Sequence, residues 1–206
     1  MNDSKCKKCR RAGEKLFLKG DRCFTQKCAM LRSGKLPGVH GAKRRRASSE
    51  YGVQLTEKQK VKRSYLLREK QFRNYFDFAS KKEGVTGDVL LETMERRLDN
   101  VVFRGGLAAS RSSAKQIVSH GHMTLNGRRV DIPSILVKVG DKISIRKGSE
   151  SKAVFKDFEE KLKKFEAPGW IDLNKKDLTL EIKRLPQRED IDSAFNMQLI
   201  TEFYSR

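Results

Sequence analysis

The cysteines of the chain, Cys6, Cys9, Cys23 and Cys28, all fall within "CKKCRRAGEKLFLKGDRCFTQKC". Their spacing is C-x2-C-x13-C-x4-C. Two close pairs separated by a longer loop suit a tetrahedral thiolate site, each pair forming a knuckle that supplies two sulfurs. The flanking Lys7, Lys8, Arg10, Arg11, Arg22 and Lys27 favour thiolates and offset the double negative charge of a Zn(Cys)4 centre. Leu16, Phe17, Leu18 and Phe24 are too few to form a core, so metal would supply the missing free energy, on the order of 10 kcal/mol in small zinc modules. The expectation is one Zn2+ per chain. An iron–sulfur cluster, free thiols and two disulfides are the alternatives.

The remaining chemistry-bearing residues point away from catalysis. His40 lies in a glycine-rich loop, and His120 and His122 flank Gly121 without a matching acid. RNA contact or helix capping accounts for them. Asp99, between Leu98 and Asn100, could be imagined as the acid of an RNA-modifying enzyme, but its place on a helix suits a salt bridge or cap. Phosphate-loop and dinucleotide fingerprints are lacking. The collective signal is charge: 46 Lys+Arg against 26 Asp+Glu, a net +20. Residues 1–50 carry a net +11, residues 51–150 a net +9, and residues 151–206 none. A polyanionic partner is expected for the first three quarters, and a core or protein neighbour for the last.

Length allows one large or two small domains, and an apolar content of 37% is lean but above the disordered class. No apolar run approaches the roughly 20 residues of a membrane span, and Cys, Lys and Arg break up any signal-peptide core. The expected compartment is reducing: cytosolic or organellar, without membrane contact.

These residues must be positioned by regular elements. Gly34, Pro37, Gly38 and Gly41 forbid regular structure over 34–41. Lys43, Arg44, Arg45 and Arg46 then read as an extended basic arm that binds RNA. Thr56 and Gln59 have capping-box spacing, opening a helix with Val61, Tyr65, Phe72, Phe76 and Ala79 on one face. Its other face is basic, with Lys58, Lys62 and Arg73 among the candidate RNA contacts. Val89, Leu90, Leu91, Met94, Leu98 and Val101 mark a second helix. Ser110 is a natural N-cap for "RSSAKQIVSH", and Gly121 is placed to stop that helix. Asn126-Gly127 predicts a type I′ hairpin turn, with "VGDKISI" as a further strand. Val154, Phe155, Phe158, Leu162 and Phe165 suggest an amphipathic helix, "WIDLNKKDLTLEIKRLP" a hairpin, and Ile191, Phe195, Leu199 and Phe203 a terminal helix.

Within this framework Arg104, Arg111 and Lys115 project from one small unit. Backbone N–H groups near Ser110 and Arg111 can receive a phosphate, and His120 and His122 lie just past the helix end. Because A-form RNA hides its base edges in a deep groove, such a surface reads backbone shape.

"YGVQLTEKQKVKRSY", "QFRNYF", "TGDVLLETMERRLDNVVFR", "SRSSAKQIVSHGHMTLNGRRVDIPS" and the closing "EFYSR" together resemble the S-four family of bacterial small-subunit ribosomal proteins, over residues 5–206. Residues 95–146 look like the RNA-binding module named after that family, and the cysteines are similar to its zinc-binding form. The resemblance implies an α+β fold: a mainly helical domain with an inserted RNA-binding module (helix–turn–helix plus small antiparallel sheet) and an N-terminal zinc knuckle. It divides the chain into a zinc segment and arm (1–45), a helical domain (46–94, completed by 190–206), the module (95–157) and its extension (158–189). It implies a structural role in the cytoplasmic small subunit, binding the five-prime domain of 16S rRNA early in assembly and influencing accuracy. The implied neighbours are ribosomal protein S-five, other small-subunit proteins and messenger RNA where it enters. By position, the RNA contacts are Arg104, Ser110, Arg111, Lys115, His120, His122 and Asn126. A zinc-dependent translational regulator or RNA chaperone is the alternative; an RNA-modifying enzyme carrying the module leaves too little chain for a catalytic site.

Overall fold

The computed structural model of the protein describes residues 4–41, 47–152, 155, 162, 165–175, 177–191 and 195–206. The basic run Lys43–Arg46, and Val154 and Phe158 of the expected 154–165 helix, lie outside them. The chain divides into two compact units. One comprises Met1–Val89 with Ser193–Arg206, the other Leu90–Asp192. No helix among the described residues is long and apolar enough to cross a membrane.

The first unit begins with α1 (Lys5–Ala12), which ends on Gly13 in the left-handed conformation (φ 79°). A 3-10 turn (Gly20–Cys23) and α2 (Ala29–Arg32) follow. Cys9, Leu16 and Leu18 are buried together, with Leu66 packed against them. Helix α3 (Glu50–Ser64) opens about two turns before the expected cap. Ser49 is the N-cap, its hydroxyl accepting from Gly52 N–H at 3.2 Å. Thr56 is already inside the helix and donates to the Gly52 carbonyl. The expected single helix also breaks: Leu66 takes a left-handed φ of 55°, and α4 (Glu69–Ala79) starts afresh after Arg68. The apolar stripe continues across the break, since Val61, Phe72 and Ala79 are all fully buried. A stripe at constant spacing therefore concealed the turn.

The terminal helix α8 (Met197–Tyr204) closes this unit. It starts later than the spacing from Ile191 suggests, because Asn196 caps it by accepting from Leu199 N–H. Met197 and Ile200, rather than Leu199 and Phe203, are its buried residues. It packs on α3 and α4 through Gln54–Glu202 (3.1 Å), Arg206–Glu50 (2.7 Å) and the stacked rings of Phe76 and Tyr204 (4.6 Å).

Helix α5 (Thr86–Glu95) leads into the second unit, and α6 (Leu98–Arg104) follows. The two were expected as one helix. They separate because Arg97 is extended (ψ 136°) and bridges to Leu136. Arg97 is also buried in a two-pronged ion pair with Asp99 (Nε–Oδ1 3.0 Å, Nη2–Oδ2 2.7 Å). That pairing is the structural role foreseen for Asp99. After α7 (Arg111–Ser119) comes one antiparallel sheet of β1 (Met123–Leu125), β2 (Arg128–Val130), β3 (Lys142–Ile145), β4 (Ile171–Asn174) and β5 (Thr179–Ile182), in the order β2-β1-β3-β5-β4. The 171–182 hairpin thus extends the same sheet, with Ile143 opposite Leu180. Asn126 and Gly127 have φ of 51° and 78°, as a type I′ turn requires. The inward faces of α6, α7 and the sheet enclose Trp170, Met123, Leu107 and Leu180, all at most 1% exposed.

Candidate nucleic-acid interface

Helix α7 is fixed at its start by Ser110, a buried residue whose hydroxyl accepts from Ser113 N–H at 3.3 Å. That bond satisfies one of the orphan donors of the first turn. Arg111, the next residue, is half-buried and held on three sides. Its Nε donates to Asn100 Oδ1 (2.7 Å), its Nη2 lies 3.8 Å from Glu95, and its guanidinium lies over the Phe103 ring at 4.7 Å. Arg104 donates to the same Glu95 carboxylate from Nε (3.1 Å) and Nη2 (2.9 Å). Asn100 Nδ2 completes the shell at 2.6 Å. Glu95 is fully buried. One carboxylate therefore orients two expected RNA-binding arginines, and the cluster retains one net positive charge. Lys115 is half-buried on α7.

The far end of α7 is also cationic. Gly121 ends the helix at φ 68°, and the Arg129 guanidinium crosses so closely that an added Cβ would lie 2.5 Å from its Nε. His120 is exposed and 5.9 Å from His122, ring to ring. His122 differs from the expected contact role: it is buried, with Nδ1 3.2 Å from Ser149 Oγ. Burial lowers its pKa below the ordinary value, and Lys152, His120, Arg146 and Arg129 push the same way. Asn126 is exposed, but its amide is used structurally: Nδ2 donates to Asp141 (2.8 Å) and Oδ1 accepts from Lys142 N–H (2.9 Å). It shapes the hairpin rather than offering that amide outward.

In the first unit the basic face of α3 is smaller than its sequence suggests. Lys58 is buried, its ammonium 2.5 Å from Glu69 and 4.4 Å from the Phe203 ring centre. It turns inward because Phe203 and Tyr204 of α8 give its alkyl stem and charge a place to lie. Lys62 is half-buried and also bonds Glu69, at 2.5 Å. Burial alone would raise the Glu69 pKa, but hydrogen bonds from Lys58, Lys62 and Tyr204 outweigh it and hold the carboxyl down to about 2. Arg73 is exposed on α4.

The cysteines converge on one small pocket. Cys6 and Cys9 share a face of α1, where residues three apart are neighbours, so the first pair is helical rather than a knuckle. Cys23 closes the 3-10 turn and Cys28 precedes α2. All four thiols are free of disulfides and line a cavity of about 20 Å³, room for one small occupant. Lys19 N–H points at Cys23 Sγ (3.4 Å) and the backbone at Leu16 hydrogen-bonds Cys9, as donors around a thiolate do. Burial raises the Cys9 pKa against the lowering effect of the Leu16 backbone hydrogen bond, and the other three thiols add to the rise. A bound divalent cation would reverse this by favouring the thiolates. Among the described residues no group of three or more His, Cys, Asp or Glu is already at metal-holding geometry. The donor set fits zinc chemically.

Sequence reasoning passed over Arg128 and Arg129 on the edge strand β2, and Arg146, Lys147 and Lys152 beyond β3. The cations near His122 are spread over residues 129–152 and gather only when the sheet forms. The doublet in "NGRRV" was the one local signal.

Comparison with known proteins adds a second line. A family model described as "Ribosomal protein S4/S9 N-terminal domain" matches residues 1–95, and one described as "S4 domain" matches residues 96–143. The chain is 51% identical over 204 residues to "Small ribosomal subunit protein uS4" of Syntrophomonas wolfei, covering 99% of this chain and 98% of that protein. It is 51% identical to the protein of the same description in Clostridioides difficile and 52% identical to that of Caldicellulosiruptor bescii, covering 98% of this chain and 96% of each relative.

Proposed function

Because the chain belongs to the uS4 family of small-ribosomal-subunit proteins, we propose that it is a structural constituent of that subunit and binds 16S rRNA. The observation that carries this reading is identity of about half the residues over nearly the whole length of named uS4 proteins. The family is structural and non-enzymatic, and it works in the bacterial cytoplasm as part of the small subunit. The chemistry agrees. Arginines anchored on a buried carboxylate, a cationic helix end and a net charge of +20 suit a folded polyanion read by shape.

Finer features of the reading extend the family resemblance. The rRNA target is the five-prime domain, bound early so that the protein nucleates the subunit body. Neighbours are ribosomal protein S-five and messenger RNA where it enters, which is how the protein would influence accuracy. Arg104, Arg111, Lys115, His120 and Arg129 are the direct contacts of the second unit, while Ser110, His122 and Asn126 hold the scaffold beneath them. In the first unit Arg73 and the run Lys43, Arg44, Arg45 and Arg46 face RNA, with Lys62 at the edge.

One Zn2+ per chain, held by Cys6, Cys9, Cys23 and Cys28, is part of the proposal. Its support is the shared pocket and the two backbone donors directed at sulfur. When bound, the ion clips a segment too small to form its own core. Co-sedimentation with salt-washed small subunits, and a footprint on naked 16S rRNA, test the functional reading. Stoichiometric presence and protection within the five-prime domain are expected. A chain that stays soluble and prefers no small-subunit transcript would overturn it.

A further inference from the structure

The loop that carries Cys23 presents an aromatic surface that core packing leaves uncovered. Phe17 and Phe24 stack on one another, ring centres 5.1 Å apart at 28°. They remain 42% and 73% exposed. Phe17 holds a φ of 49°, a backbone region that bulky side chains seldom enter. Such outliers persist where the surroundings impose them, and they cluster at binding sites. The neighbouring groove is cationic, although the exposed Asp21 stands in the same turn as Arg22. An open groove of about 330 Å³ is lined by Arg10, Arg22, Lys27, Ala29, Arg32 and Ser33, and it contains no carboxylate. The buried Nε–H of Arg10 has no acceptor. Phe24 lies in the chain between Arg22 and Lys27, so the ring's loop supplies two of the groove's cations and α1 and α2 supply the others.

Taken with the rRNA-binding reading above, on which the inference rests, we propose that this loop binds a single-stranded stretch of RNA. One unpaired base lies on the exposed Phe24 ring, and the flanking phosphates follow the groove. Charge decides the partner: four cations line the groove against one nearby acid, Asp21, and attract a polyanion, whereas a protein neighbour would have to supply a matching acidic strip. The rings decide the strandedness. Inside a duplex both faces of each base are covered by its neighbours, whereas an unpaired base can present one, and base–aromatic stacking tolerates sequence.

The test uses the full-length chain and a short single-stranded RNA carrying one 2-aminopurine, whose fluorescence falls when it stacks. A blunt duplex of the same sequence is the control. Binding should quench the probe. Phe24→Leu, at a largely exposed position, should abolish the quench and weaken single-strand binding roughly tenfold. Phe24→Tyr should keep both, and the duplex should bind all three proteins equally. Replacing Arg22 and Lys27 by Gln should flatten the logarithmic salt dependence by about 1.4. An unchanged quench and affinity in Phe24→Leu, while the protein still selects small-subunit transcript, overturns the stacking site alone. Loss of that selectivity by the unaltered protein overturns the underlying reading instead. A Phe24→Leu chain that binds RNA normally but leaves washed subunits faster assigns the ring to a protein neighbour and also overturns the proposal.

Discussion

Replacing Glu95 by Gln separates two accounts of RNA affinity that usually agree. The side chain of Glu95 is 1% exposed and receives Arg104 at 2.9 and 3.1 Å, Asn100 at 2.6 Å, and Arg111 at 3.8 Å. Glutamine offers one acceptor where two oxygens stood, and turns an NH2 group towards guanidinium donors. Removing one partner of a buried ion pair costs about 3–5 kcal/mol. Arg104 and Arg111 retain 16% and 17% exposure, so the low end, about 3 kcal/mol, applies. In a domain near 100 residues that lowers the melting temperature by about 12 °C or more. If net charge governs binding, the variant binds more tightly, since a chain of +20 gains one further positive unit. If Glu95 pre-positions the arginines, binding weakens. Refixing a long side chain costs about 1 kcal/mol, so two cost about 2, or roughly thirtyfold in affinity. Filter binding to a five-prime-domain transcript at fixed salt, well below the variant's melting point, reads the difference. Glu92→Gln is the control: it makes the same charge change beside a partly exposed pair with Arg96. Equal or tighter binding by Glu95→Gln would refute the positioning argument, and an unchanged melting temperature would refute the anchoring one.

Three further perturbations probe the rest. Glu69 has its folded pKa depressed from 4.5 to about 2, so its stabilisation is complete above pH 4.5 and is lost as pH falls towards 2. Hydrogen exchange should therefore show α8 loosening across that window, and Glu69→Gln should remove that acid-sensitive step. For His122 the folded pKa is lowered. Protonation then disfavours the fold, and the second unit should lose stability as pH drops below 6.5, with a His122 midpoint under 6.5 by NMR. Native mass spectrometry should find one zinc per chain. Chelation or Cys9→Ser should increase exchange in residues 4–41 far more than in residues 90–152, and equal loosening of both would contradict the metal clip.

Local chemistry made parts of this structure legible in advance. The Asn126-Gly127 hairpin was readable because both positions need positive φ, and α7 because Ser110 precedes a clear apolar stripe. Features that depend on distant partners were not. Thr56 has cap spacing, but Ser49 outcompetes it from outside the stripe. Leu66 interrupts a helix whose apolar rhythm never falters. Lys58 looks like surface, and only the return of Phe203 and Tyr204 across the sequence gives it an interior place. Arg104 and Arg111 were recognisable as a cationic pair, but the buried carboxylate that aims them carries no sequence signature. The order β3-β5-β4 was unreadable because each hairpin is local while the joining of hairpins is not.

The first unit cannot close until its last helix exists. Tyr204 bonds Glu69 across 135 residues, and Arg206 reaches Glu50 across 156. At about 5–20 residues per second of synthesis, α3 and α4 wait on the order of ten seconds for their partner. A chain lacking α8 would lose Met197 and Ile200 and leave Phe72 and Phe76 without the Tyr204 ring against them. Closure of the first unit therefore depends on two stretches of chain that lie more than a hundred residues apart.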